Sequence, residues 1–187
     1  GDDPQSFTTA RAIFAATIKP EENGTFTTGQ VKAISDASGP FVDAPRAARV
    51  GQNYFVTWEE VGANGESRIV GRTLALTDQI EPSSFVTLAK STAAHLARPV
   101  PVYDGVALNV AWIEQIGGGT GDTAHSVLVK HFSSIPDQSA SDAATPFVLS
   151  GDSGKSRVTL TGTFDGKQTL FVWDQQTVLS SEIWGAS

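Results

Sequence analysis

The sequence contains no cysteine, which excludes disulfides, thiolate nucleophiles and thiolate metal sites from its chemistry. Methionine is also absent, even at position 1, as expected of a processed chain. The polar start Gly1-Asp2-Asp3-Pro4-Gln5-Ser6 suits a chain whose export signal has been cleaved off, so the expected location is periplasmic, cell-surface or secreted. Long apolar runs are missing. The longest, Ile13 to Ala16 and Val106 to Ile113, fall far short of the roughly 20 residues of a membrane-spanning helix, so no span is expected. Concentrated positive charge is missing as well: 13 basic residues face 20 acidic ones, for a net charge of −7. Nucleic acids and anionic membranes are therefore not expected partners. Helical periodicity is equally scarce, and Ala89 to Ala97 comes nearest to it.

What remains is enough for one substantial domain, 187 residues at 40% apolar content. Three segments share one form: Tyr54-Phe55-Val56-Thr57-Trp58-Glu59-Glu60, Leu108-Asn109-Val110-Ala111-Trp112-Ile113-Glu114 and Thr169-Leu170-Phe171-Val172-Trp173-Asp174-Gln175. Each is a β-prone run ending in Trp and an acid or amide. A glycine stands seven positions before each Trp, at Gly51, Gly105 and Gly166. Two of them follow Asp, and Asp-Gly is a strong hairpin-turn dipeptide. Each unit thus reads as strand, tight turn and strand to Trp. Third strands come next at Arg68 to Leu74, His125 to Phe132 and Ser181 to Trp184, with fourth strands at Ser84 to Leu88 and Thr145 to Leu149. At an offset of 41, Phe14 matches Phe55, Asn23-Gly24 matches Asn64-Gly65, and Thr17 takes the Trp position.

Four antiparallel strands per unit, repeated about four times, predict an all-β, β-propeller-like array of about four blades. The approximate blades are 1–40, 41–95, 96–150 and 151–187, the last one incomplete. A β-sandwich of the same strand count is the alternative. The open position in the last blade calls for the Gln5 to Thr9 segment, a second copy in a homo-oligomer, or a larger parent chain. The cadence of Asp-Gly, strand, Trp, polar loop and a Val70-Gly71-Arg72 or Val129-Lys130 strand resembles the blades of large bacterial extracellular β-propeller proteins over residues 40–187. It is more distantly similar to fucose-type propeller lectins. The resemblance implies a blade, not an activity, and it carries over no sugar-binding residue.

Motifs for chemistry are sparse. Gly151-Asp152-Ser153-Gly154-Lys155-Ser156 ends like a phosphate loop, but Leu149 stands where the first glycine belongs and a strand comes after it instead of a helix. The same stretch partly imitates the Asp-box turn of sialidase-like propellers, with Arg157 in place of the expected aromatic. It reads as a turn. His125 and His131 share a strand face six residues apart, nearly 20 Å at about 3.3 Å per residue, too far to hold one ion with His95. No metal and no cofactor is expected. Asn23-Gly24-Thr25 matches the glycosylation triplet, and Gly117-Gly118-Gly119-Thr120-Gly121-Asp122 is a glycine-rich loop.

The function expected is an exported, non-enzymatic binding or scaffold domain with a protein or carbohydrate ligand. A carbohydrate-binding lectin-like propeller and a glycoside-active enzyme fragment are the alternatives. Any ligand is expected on the face carrying Val61 to Glu66, Lys90 to Ala97 and Ile116 to Ala124, because those connections are long and the Asp-Gly turns are short. Glu60, Glu114 and Gln175 follow the Trp strands at that rim, and Trp112 is the stacking candidate should it be exposed. The other reading of the Trp residues is core packing between sheets, and for the acids a solvated strand end.

Overall fold

A computed structural model describes residues 11–35, 41–62, 64–76, 80–117, 124–151, 157, 159–176 and 181–187. The described elements are β1 (Phe14–Pro20), β2 (Phe26–Ala33), β3 (Phe41–Val50), β4 (Asn53–Val61), β5 (Ser67–Leu76), β6 (Ile80–Pro82), β7 (Val86–Ser91), β8 (Ala94–Tyr103), β9 (Leu108–Ile116), β10 (Ala124–Phe132), α1 (Gln138–Ala143), β11 (Phe147–Ser150), β12 (Leu160–Phe164), β13 (Thr169–Gln176) and β14 (Ser181–Ala186). They form four antiparallel sheets that succeed one another along the chain. β1-β2 is a ribbon; β3-β4-β5 is extended by β6 and β7, which both pair β5; β8-β9-β10-β11 and β12-β13-β14 complete the set. The protein is all-β.

The turns arise where the glycines demand them. Gly51, Gly105 and Gly166 have φ of 62°, 96° and 97°, a region that a side chain disfavours. Asp104 Oδ1 accepts the N–H groups of Val106 (2.8 Å) and Ala107 (2.6 Å), and Asp165 Oδ1 accepts those of Lys167 and Gln168 (both 2.8 Å). Those donors, Ala107 foremost for Asp104 and Gln168 foremost for Asp165, hold both carboxyls below the ordinary carboxylate range.

Period-2 alternation then sorts each strand into two faces. Val56 and Trp58 pack with Ile13 and Ile34 of the ribbon segment. Phe55 and Ile69, on the other face, pack with Leu108, Val110 and Trp112. Ala111 and Ile113 in turn meet Phe171 and Trp173. Each Trp-bearing face is thus turned toward the sheet that precedes it, and neighbouring sheets meet face to face as sandwich layers do. Burying one Trp removes 150–250 Å² from water, about 4 to 6 kcal/mol of transfer free energy at ~25 cal/mol per Å².

A second repeated device is invisible in the Trp pattern. β3 and β8 both bulge, between Asp43 and Arg46 and between Ala97 and Val100. Within the bulges Ala44 and Arg98 take φ of 52° and 55°, each just before a proline, Pro45 and Pro99. The offset between them, 98 − 44 = 54, equals the Trp offset 112 − 58 = 54.

The stretch Ala89 to Ala97 is the end of β7, a turn and the start of β8, with Ser91 Oγ accepting the N–H of Ala93 (3.1 Å) and of Ala94 (2.9 Å). The helix is α1, whose N-cap Asp137 accepts Ala140 N–H at 2.7 Å. The first unit keeps the turn of the 41-residue offset: Gly24 N–H donates to Glu21 O (3.0 Å) as Gly65 N–H does to Gly62 O (2.9 Å). Its β1-β2 ribbon has two strands among the described residues, and Phe14 is 62% exposed where Phe55 is wholly buried. The Gln5 to Thr9 segment lies outside the described residues.

Candidate functional site

Alternate connections of antiparallel strands emerge at opposite ends, so the Asp-Gly turns occupy one end of the sheets and the longer connections the other. At that second end Val61, Gly65, Ser67, Ala93, His95 and Gln115 line a cleft of about 300 Å³ between the second and third sheets. It gathers residues from the β4–β5, β7–β8 and β9–β10 connections. Backbone-directed bonds clamp its floor. Ser67 Oγ accepts Leu96 N–H (2.8 Å) and donates to Leu96 O (3.3 Å), and Glu59 Oε2 accepts Arg98 N–H at 2.9 Å. The strained Arg98 backbone, of the kind that costs about 1 to 3 kcal/mol, is therefore held by a buried carboxylate from the neighbouring sheet.

A polar row absent from any single-strand pattern runs inward from the His95 and Gln115 side of the cleft. His95 on β8 and His125 on β10 are both register partners of Gln115 on β9, so the three side chains share one face. His95 Nδ1 and Gln115 Oε1 are 3.1 Å apart. His125 is buried, and its Nδ1 lies 2.8 Å from the backbone N and 3.0 Å from the backbone O of Arg157. Arg157 is fully buried and donates from Nη2 to Ser150 Oγ (2.7 Å) and Gly151 O (2.9 Å), and from Nη1 to His125 O. It ties the third sheet to the connection entering the fourth. His131 instead bonds Asn109 Oδ1 at 2.9 Å. Among the described residues no group of three His, Asp or Glu side chains is gathered as for a metal ion. No described helix is long and apolar enough to cross a membrane.

The rim residues divide sharply. Glu60 is 9% exposed, its Oε1 accepting the Trp58 indole N–H and its Oε2 the Arg68 Nη2, both at 2.9 Å. Trp112 is 2% exposed, inside the core between the second and third sheets, so it offers no stacking surface. Its indole N–H meets no acceptor among the described residues, and neither does that of Trp173. Gln175 is buried and Glu114 half-buried. Of the Gly151 to Ser156 turn only Gly151 lies within the described residues.

A further polar cluster lies at the edge of the second sheet. Gln138 of α1 receives Thr87 N–H on Oε1 (2.9 Å) and donates from Nε2 to Thr87 O (3.2 Å), as a paired strand would. Lys130 Nζ donates to Leu88 O and Ser141 O at 2.8 Å. Burial pushes that amine below its ordinary value. The only sequence signal for this clamp is Asp137, a good N-cap residue.

Neither a known protein-family model nor any curated protein matches the chain.

Proposed function

We propose that this chain is an exported, non-enzymatic binding or scaffold module of the β-propeller kind. In this reading the second, third and fourth sheets are successive blades, and a protein or carbohydrate partner is received at the cleft between the second and third. The observation that carries the reading is the convergence of connections from two sheets on one cleft, opposite the tight turns. Binding residues concentrate on such loops where a rigid scaffold positions them. The repeated stacking of each Trp face on the preceding sheet supports the blade reading. Burial of Trp112 shifts the polar contacts of the site to His95 and Gln115.

The test compares the wild-type chain with His95→Ala, Gln115→Ala and a replacement of the Ile116 to Ala124 loop by a short turn. A glycan array probes carbohydrates, a pull-down from secreted protein probes protein partners, and chromogenic glycosides probe hydrolysis. Binding lost at the cleft variants and kept in Asp165→Asn supports the reading. Binding that survives all cleft changes but is lost at Asp165 in a folded protein places the site at the other end. Turnover of a glycoside contradicts the non-enzymatic assignment.

A further inference from the structure

The Asn23-Gly24-Thr25 triplet has no part in the cleft. Of the asparagines only Asn23 has a hydroxyl residue two positions on; Asn53, Asn64 and Asn109 are followed there by Phe55, Glu66 and Ala111. The triplet forms the tip of the β1-β2 ribbon, where residues 20–30 are all exposed among the described residues. A Cβ added at Gly24 meets nothing within 4 Å, so a bulky group has room there.

The turn holds the carboxamide in one orientation. Glu21 N–H donates to Thr25 O (2.9 Å) and Gly24 N–H to Glu21 O (3.0 Å), while Asn23 Oδ1 accepts both the backbone N–H of Thr25 (2.9 Å) and its hydroxyl (2.6 Å). A backbone N–H can only donate, so the atom facing Thr25 is the carbonyl oxygen. Nδ2 is left without a hydrogen bond among the described residues. The turn 41 residues on is built the same way, with Gly62 N–H donating to Glu66 O (2.8 Å), Gly65 N–H to Gly62 O (2.9 Å) and Glu66 N–H to Asn64 Oδ1 (3.1 Å). It lacks only the hydroxyl. The two turns thus separate backbone shape from acceptor chemistry.

We propose that Asn23 is the acceptor of an N-linked glycan, transferred from a lipid-diphosphate-linked sugar by an oligosaccharyltransferase. Nδ2 bonds to the anomeric carbon, and the bond from that carbon to the diphosphate oxygen breaks. The lipid diphosphate leaves with the electron pair, and the Nδ2 proton passes to a base of the transferase. Such acceptors lie in surface loops of exported proteins. Glu21 stands two residues before the acceptor, where transferases of the bacterial type read an acid. The glycan stands beside Ile18 and Phe26, 65% and 69% exposed, and adds hydrophilic bulk where the ribbon exposes apolar side chains. A natural encounter with the transferase rests on the exported reading above, whereas the acceptor chemistry of the folded tip does not.

The test incubates the purified full chain with a bacterial oligosaccharyltransferase and its lipid-linked donor and follows the intact mass. The expected result is one discrete glycan added to the 19.6 kDa chain, located on Asn23 by tandem mass spectrometry, with Asn64 unmodified. Asn23→Gln abolishes the addition, as does Thr25→Glu, which copies the second turn, and Glu21→Gln lowers it. A peptide of residues 19–27 reports whether the same residues are read outside the fold. No addition to the full chain overturns the proposal: with the peptide modified, the folded tip hides Asn23, and with the peptide unmodified, the sequence is no acceptor. Addition that persists in Asn23→Gln overturns it as well. Because the assay needs no export, its failure leaves the location of the chain untouched, and a chain retained in the cell leaves the acceptor assignment standing.

Discussion

The second and third sheets share their backbone but not their polar chemistry. Their bulges, turn glycines and Trp residues recur at a 54-residue offset or close to it. At Trp58 the indole N–H finds Glu60, and Arg68 completes the pair. At Trp112 the same spacing reaches Glu114, yet the indole N–H has no acceptor among the described residues. Repetition in this chain therefore marks the frame that packs, and an acid repeated beside each Trp is not a repeated site. His95 and Gln115 at the cleft are not repeated either: 54 residues earlier stand Phe41 and Val61.

The largest effect expected is loss of a packed indole. Trp58→Ala and Trp112→Ala should each destabilise by about 3 to 5 kcal/mol in urea unfolding, while Trp184→Ala, half-exposed at an edge, should stay within about 0.5 kcal/mol. A large effect at Trp184 would break the assignment of core and edge. The next effect sharpens the contrast between the two sheets. Trp58→Phe leaves the buried Glu60 without its indole donor, whereas Trp112→Phe removes an N–H that has no acceptor among the described residues, so Trp58→Phe should cost about 1 to 2 kcal/mol more. Equal losses would show that Glu60 does not distinguish the units.

The smallest effect is at the turns. Asp104 and Asp165 have carboxyls held below their ordinary value by backbone N–H groups. Their contribution is present above the unfolded pKa of about 3.9 and is lost as pH falls through the folded values. Asp104→Ala and Asp165→Ala should flatten the acid limb of a plot of melting temperature against pH. An unchanged acid limb would remove the turns from the account.

Much of the frame was legible from residues alone, for a physical reason. A glycine seven residues before a Trp encodes a positive-φ turn and an alternating face, and both are local properties. The burial of Trp58, Trp112 and Trp173 agrees with the same alternation with Val56, Val110 and Phe171. The hidden part depends on cross-strand register or on contacts between sheets. His95, Gln115 and His125 align only because β8, β9 and β10 pair in one register, a fact no single-strand spacing contains. The six-residue α1 is too short to show a period, and its anchors Thr87 and Lys130 lie on other strands. The acids after each Trp looked solvent-facing because charge usually is, and Glu60 is buried because Arg68 and an indole satisfy it.

The central claim is that connections from the second and third sheets meet at one end, opposite the tight turns. Paired nitroxides on cysteines introduced into this cysteine-free chain test it directly. Asn64 and Thr92 belong to the two connections beside the cleft, whereas Val106 lies at the far end of β8, ten residues long. The account predicts a short Asn64–Thr92 distance and a Thr92–Val106 separation of about 30 Å, from ten residues at ~3.3 Å each. An Asn64–Thr92 distance as long as the Thr92–Val106 separation would contradict it.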